Sequence, residues 1–343
     1  MKDVARRAGV SVGTVSNVVN RPDRVAPSTR QQVLDAIDEL GFVRNESARQ
    51  LRAGRSRTIG LVVLDISNPF FTDVIHGAEI CANENGAVIM LCNSGHDPDR
   101  EARYLDLLEE QRVQGLLIMP AARDNPRLDR LAQRGTPVVV VDGVVDHPDR
   151  CSVATGDRRG GSLAIGHLIE RGHRTIGFVG GPLTLHQVQQ RHQGAVRALA
   201  EAPDGGATLT VFETSSLTAS AGQVAGERIA GLNANDRPTA VFCASDLVAL
   251  GVIHALARHG IAVPDDVAVV GYDDIDYAAA VPLSSVRQPG ELIGRTATEL
   301  LLDEIRGRAA HQHRRVAFEP ELAIRASSEA PRQRHSPMAR TGD

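Results

Sequence analysis

The 343-residue sequence predicts an all-α head joined by a hinge to a two-lobed α/β body built on parallel sheets. Three observations predict it. Apolar residues near the N-terminus recur at helical spacing and are interrupted by glycine. Residues 53–58, AGRSRT, carry no apolar period and read as a linker. Beyond them, short apolar runs alternate with helical segments in two successive series. A chain this long exceeds one typical domain and has ample material for separate buried cores.

In residues 2–20, KDVARRAGVSVGTVSNVVN, Val4, Ala5 and Ala8 share a helical face and Gly9 interrupts it. Ser11 stands where it can cap a second helix, and Val12, Val15, Val18 and Val19 give that helix an apolar stripe. Two short helices joined by a glycine turn make a helix-turn-helix, whose second helix lies in a DNA major groove with its early residues at base edges. Taken alone, the pattern also fits a helical hairpin used only for packing. A third helix follows, with Pro27 in its first turn, Val33, Ile37 and Leu40 on one face, and Gly41 as its stop.

Charge is distributed unevenly. Residues 1–57 hold 11 Lys/Arg against 6 Asp/Glu, a balance of +5, which leaves −9 on the rest of a chain whose net charge is −4. A basic head on an acidic body points to a polyanionic partner for the head alone, since the basic residues flank a DNA-binding pattern. There is no run of 18 apolar residues and the start is a charged helix, so neither a membrane span nor a signal peptide is expected, and the protein is read as cytoplasmic. Cys81, Cys92, Cys151 and Cys243 are far apart and form no CxxC pair. That spacing fits buried free thiols in a reducing compartment better than metal or disulfide sites.

In the body, apolar runs at 59–64, 88–91, 116–119 and 138–141 form one series, and runs at 176–179, 209–212, 240–243 and 267–270 form a second. Strands recurring roughly every 25 to 30 residues with helices between them imply βαβ units and parallel sheets, one sheet per lobe. Such a body holds its ligand in the cleft at the carboxyl ends of the strands. Candidates therefore follow the strands. Asn68 is suited to cap a helix and Pro69 to begin it, with Phe70 expected in the core. Arg191 lies in the helix after the run at 176–179, Asp246 in CASDLVALG, and Asp273 in VVGYDD. A surface ion pair for Arg191 and simple helix caps for the aspartates are the alternatives. Two carboxylates and an arginine converging on a cleft favour a polyhydroxyl ligand such as a sugar.

The stretch DVARRAGVSVGTVSNVVN, the VAPSTRQQV start of the third helix, SARQL before the basic linker and DISNPFF after the first strand resemble the lactose repressor (LacI/GalR) family, over nearly the whole length to about residue 325. The resemblance implies a periplasmic-binding-protein-like body, with chain crossings between lobes near 154–158, 283–287 and 319–322. It divides the chain into a DNA-binding domain at 1–44, a hinge at 45–57, an effector-binding and dimerisation domain at 58–327 and a disordered tail at 328–343. The implied partners are near-palindromic double-stranded operator DNA, a second copy of the chain, and a small polar effector, a sugar or a derivative. The candidate DNA contacts are Ser11, Val12, Thr14, Ser16, Asn17, Asn20, Arg24, Ala48, Leu51, Arg52 and Arg55, and the candidate effector contacts are Phe71, Arg191, Asp246, Asp273 and Gln288. By the family pattern Leu51 is the wedge that enters the minor groove, and residues 45–51, too short for a stable helix alone, order only when two copies pack over DNA. The chain departs from the family at Asn17, where many members carry a base-reading arginine, and at Gly13, which has no side chain to read with. It departs also at its start, which lacks the usual capping residues and is expected to be truncated.

The implied function is a ligand-responsive, sequence-specific DNA-binding regulator, a repressor of carbohydrate-related genes, without cofactor or metal. A solute receptor is the first rival, but it would have no use for residues 1–57. An enzyme is the second. However, GxGxxG, the P-loop and GxSxG are all absent, and His192 comes about 240° around a helix from His186, so the two do not share a face for metal. The lack of tryptophan removes a common sugar-stacking group and keeps a nucleoside effector open.

Overall fold

The computed structural model describes residues 1–42, 56–122, 125–143, 149–202, 206–276, 281–307 and 310–329. The hinge candidates Ala48, Leu51, Arg52 and Arg55 lie outside the described residues. The chain forms two compact units, Met1–Ser56 and Arg57–Asp343.

The first unit holds α1 (Lys2–Arg7), α2 (Val12–Asn20) and α3 (Pro27–Glu39). The Ser11 hydroxyl accepts the Thr14 N–H at 3.0 Å and so caps α2. Val4, Val15 and Val33 are fully buried at the centre, with Ala5, Ala8, Val18 and Ala36 around them. Two apolar positions depart from the expected stripes. Val12 is 44% exposed in the first turn of α2. Leu40 sits at the C-cap past the last turn of α3, 45% exposed, and Ala36 takes its place in the core.

The second unit contains two six-stranded sheets. Lobe 1 uses β1 (Thr58–Val63), β2 (Val88–Asn93), β3 (Gly115–Ile118), β4 (Val138–Val141), β5 (Cys151–Thr155) and β11 (Arg315–Phe318), in the order β11-β5-β4-β3-β1-β2, all parallel. Lobe 2 uses β6 (Thr175–Val179), β7 (Thr208–Phe212), β8 (Ala240–Cys243), β9 (Ala268–Asp273), β10 (Ser284–Arg287) and β12 (Glu321–Ala323), in the order β12-β10-β9-β8-β6-β7. Helices cover both faces of each sheet, so β3, β4, β5 and β8 are buried throughout and read as unbroken apolar or small-residue runs. In lobe 1 these helices are α4 (Pro69–Glu84), α5 (Pro98–Glu110), α6 (Pro126–Gln133) and α11 (Gly290–Gly307). In lobe 2 they are α7 (Asp157–Glu170), α8 (His186–Ala200), α9 (Ala219–Ala230) and α10 (Asp246–Arg258).

The chain crosses between lobes after β5, after β10 and after β11. The second crossing falls just beyond 283–287, because those residues are themselves spent on β10. The third crossing adds one antiparallel strand to the expected parallel sheets. β11 runs toward the cleft, so the chain enters lobe 2 at its cleft edge, and β12 can only run away from it, antiparallel to β10. β5 and β10 escaped the apolar-run search because they contain Ser152, Ser284 and Ser285, all buried. Ser284 and Ser285 are satisfied there, their hydroxyls donating to the Arg325 carbonyl at 2.8 Å and to Asp246 Oδ1 at 2.6 Å. The expected tail boundary at 328 is also corrected. Ser328 is fully buried, its hydroxyl 2.7 Å from that of Ser284 and 2.8 Å from His167 Nε2.

Helices α7 and α8 cross through glycine. A Cβ on Gly161 would lie 2.0 Å from the Arg191 carbonyl oxygen, and one on Gly194 would lie 1.9 Å from that of Arg158. This contact sets where Arg191 and Asp157 stand. Gly194→Ala is therefore expected to cost at least about 1–3 kcal/mol, since the obstructing atoms are backbone. Gly166→Ala, in open space on α7, is expected to be neutral or stabilising by a few tenths of a kcal/mol up to about 1. Urea unfolding of both variants checks this, and equal stabilities would refute the crossing argument.

Candidate functional site

On the head, Ser11, Val12, Gly13, Asn17 and Asn20 are exposed, and Thr14 and Ser16 half-buried. From Val12 to Asn17 the exposed side of α2 spans an arc of about 140° opposite Val15 and Val18. Two of the candidate readers are already engaged within the helix. The Thr14 hydroxyl lies 2.9 Å from that of Ser11, and the Asn20 amide donates to the Ser16 carbonyl at 2.9 Å. Asn17 is an exposed polar side chain at one edge of that face, and Arg24 is exposed in the turn after it.

Between the lobes lies a cavity of about 340 Å³, lined from lobe 1 by Leu64, His96, Met119 and Asp142 among others, and from lobe 2 by residues 184–187 and Gln189. A smaller recess sharing His96, Asp142 and Gln187 continues it past Asp65, Asn68, Phe70, Phe71, Arg191 and Asp273. The volume is at the small end of the range that ligand pockets occupy. Its walls are strand ends, as the parallel topology dictates. Asp142 follows β4 and Asp273 ends β9, both at positive φ, 55° and 111°, while His96 after β2 has φ 59°. Backbone strain of this kind concentrates at functional sites.

Arg191 is 3% exposed and heavily committed. Nε donates to Asp157 Oδ1 at 2.8 Å, Nη1 donates to the Ala244 carbonyl at 2.6 Å and lies 3.8 Å from Asp273 Oδ1, and the guanidinium stacks 3.7 Å from the Tyr272 ring centroid. Burial works against its charge, but the neighbouring carboxylates, Asp157 first, outweigh that and hold it protonated. Asp273 also accepts from Gln288 Nε2 at 2.8 Å and, across the cleft, from Asn68 Nδ2 at 3.4 Å. Burial nevertheless pushes Asp273 up to about 6, with Arg191, Gln288 and Asn68 opposing. Burial, then the neighbouring Asp157, raises Asp142 well above the ordinary carboxylate range.

Of the expected effector residues, the structure brings Phe71, Arg191 and Asp273 to the cleft. Asp246 does not line it. Fully buried at the start of α10, its Oδ1 accepts from Ser285 and its Oδ2 accepts the Ile275 N–H at 2.9 Å, so it braces the loop after β9. Gln288 stands behind Asp273 and positions it. Phe70, expected only in the core, lines the recess beside Phe71 with ring centroids 5.3 Å apart. His96, Asp142 and Gln187 were not identified from sequence. The first two follow strands, near the strand-end position that Asp273 occupies, and that placement was the available signal. His186 lines the cavity, whereas His192 packs edge-on against Phe178.

Fold and sites together define a ligand-responsive DNA-binding repressor. The chain belongs to the lacI family of bacterial regulatory proteins. Residues 1–45 match the model described as bacterial regulatory proteins, lacI family, and residues 165–328 match a periplasmic binding protein-like domain. The chain is 37% identical over 333 residues to the HTH-type transcriptional repressor PurR of Photobacterium profundum, covering 95% of this chain and 98% of that one. It is similar to the transcriptional regulator CelR in its cellobiose complex, at 34% identity and TM-score 0.69 with 95% and 98% of the two chains covered. It is also similar to the lac repressor dimer bound to operator and the anti-inducer ONPF, at 27% identity and TM-score 0.79 with 96% and 98% covered. Among the described residues no helix is long and apolar enough to cross a membrane.

The raised Asp273 carboxyl gives a pH signature. Between the ordinary value of 3.8 and about 6 the folded state holds a proton that the unfolded state has lost. Stability from this group is thus fully present below 3.8 and is lost as pH rises through about 6. Asp273→Asn removes that loss, so ligand-free variant and parent should differ by up to about 3 kcal/mol more at pH 7.5 than at pH 4 in the variant's favour. Chemical denaturation at the two pH values measures it, and parallel profiles would contradict the assignment.

Proposed function

We propose that this repressor binds near-palindromic operator DNA as a homodimer through residues 1–44. Its affinity is set by a small, neutral, polyhydroxylated effector, a sugar or sugar derivative, held in the cleft between the lobes. The hinge is assigned to 45–57, with Leu51 as the minor-groove wedge. The observation carrying the ligand class is the charge of the cleft. Among its described lining residues the carboxylates of Asp65 and Asp273, with Asp142 held toward its neutral acid, stand against Arg191, whose fork is already given to Asp157 and the Ala244 carbonyl. Carboxylates accept hydrogen bonds and repel anions, so hydroxyl donors fit where phosphates and carboxylates do not. The cellobiose found with CelR supports the same class. A nucleoside is the second reading, favoured by Phe70, Phe71 and His96, which put three aromatic rings on the recess for a base to pack against. In either case the cleft binds its ligand without turnover.

A thermal-shift screen of neutral mono- and disaccharides, nucleosides and their phosphorylated counterparts tests this. A ligand at 100 times its Kd stabilises by about 2.7 kcal/mol, readily seen as a higher Tm. A neutral sugar is expected to score, a neutral nucleoside would establish the second reading, and binding by phosphorylated compounds alone would defeat both.

The head has its own test. Asn17→Ala should lose roughly 1–3 kcal/mol of discrimination among operator variants, whereas Arg24→Ala should weaken binding to all duplexes alike and reduce the salt slope. Competition binding against operator and random DNA distinguishes them. Equal losses on both DNAs for Asn17→Ala would remove it from base reading.

A further inference from the structure

We propose that lobe 1 carries a transition-metal site, distinct from the cleft, formed by Cys151, His311, His313 and Glu304 and suited to zinc. Cys151 begins β5 and is fully buried, Glu304 lies near the end of α11, and the two histidines lie in the stretch that leads from α11 into β11. The cysteine and the histidines are more than 150 residues apart in sequence, yet their ligand atoms all lie within 4.8 Å of one another.

The donor spacings are near those of a tetrahedral site with three donors in place and a carboxylate beside them. Cys151 Sγ is 3.3 Å from His311 Nε2 and 3.9 Å from His313 Nδ1, and Glu304 Oε2 is 3.9 and 4.0 Å from the same two nitrogens. Metal bonds of about 2.0 to 2.3 Å in tetrahedral geometry set neighbouring donor atoms roughly 3.3 to 3.8 Å apart. A small contraction around an ion closes the set of three, and a movement of the Glu304 side chain brings in the fourth ligand. Sulfur, two imidazoles and a carboxylate select a borderline cation of the zinc type over magnesium or calcium.

Supporting contacts point the same way. His311 Nδ1 lies 2.8 Å from Asp303 Oδ2, which fixes the ring so that Nε2 faces the sulfur, the carboxylate–histidine–metal relay typical of zinc sites. The Arg314 N–H donates to the cysteine sulfur at 3.3 Å, a contact that favours thiolate. Without metal, burial raises the Cys151 thiol pKa. On binding, the thiol proton leaves to solvent as the sulfur–metal bond forms, and thiolate, carboxylate and a divalent ion sum to a neutral, buriable cluster. The His313 side chain, 28% exposed, leaves an entry path. The site lies at the start of β5, at the end of the sheet away from the lobe crossings, so a bound ion staples the edge strand β11 to its neighbour and to α11.

The test uses untagged full-length protein stripped with chelator and titrated with cobalt(II), then zinc(II). One cobalt per chain is expected, with a thiolate-to-cobalt charge-transfer band and the strong visible bands of four-coordination, displaced by zinc, which also raises Tm. Cys151→Ser should abolish the charge-transfer band, and Asp303→Asn should weaken affinity roughly 10- to 100-fold with the spectrum kept. Should Cys151→Ser fail to fold, His313→Ala, on a partly exposed side chain, must change the cobalt spectrum and weaken binding. No charge-transfer band in the parent, a band that survives Cys151→Ser, or an unchanged spectrum in His313→Ala would each overturn the site.

Discussion

The buried guanidinium of Arg191 is the constraint on which the body depends. Asp142, Asp157 and Asp273 crowd one region of low dielectric, and their mutual repulsion would be untenable without a cation among them. Losing one partner of such a cluster typically costs about 3–5 kcal/mol, since it strands the others unpaired. The arginine gets there because α7 and α8 meet through Gly161 and Gly194, which lets two backbones approach closely enough for Arg191 to reach both the Asp157 carboxylate and the Ala244 carbonyl. An arginine so fully occupied organises the cleft more than it binds within it. The groups left facing a ligand are mostly acceptors.

Much of this was legible in sequence because it is local. Helix caps, the glycine of the first turn and the valine stripes of the head depend on residues three or four apart, and the strands with both faces covered are written as apolar runs. Errors arose where distant partners decide. Asp246 has the type and position of a ligand contact, yet Ser285, 39 residues away, and the Ile275 amide consume it. Buried serines in β10 look like loop until the Arg325 carbonyl and Asp246 are known to satisfy them. Ser328 reads as the start of a polar tail, whereas Ser284 and His167 hold it in the core. Cys151 looks like an isolated buried thiol because its histidines are 160 and 162 residues away.

The residues of the charged network also sit on the crossings between the lobes. Asp157, which fixes Arg191, is the first residue of α7, immediately after the chain leaves β5, and Gln288, which fixes Asp273, lies immediately after β10. Two of the three crossings thus carry groups that hold cleft side chains in place. A ligand shifts the balance between lobe poses only by as much as it binds one better than the other. The bond across the cleft, Asn68 Nδ2 to Asp273 Oδ2, is a natural place for that difference to arise. At 3.4 Å it is a weak hydrogen bond, and it joins the helix cap of α4 in lobe 1 to the strained end of β9 in lobe 2. A ligand hydroxyl that displaces Asn68 from Asp273 frees the lobes from one another, while one that bridges the two residues draws them together. Of the two amides that donate to this carboxylate, Gln288 at 2.8 Å belongs to its own lobe, so the longer Asn68 contact is the one whose loss or gain is felt by both lobes.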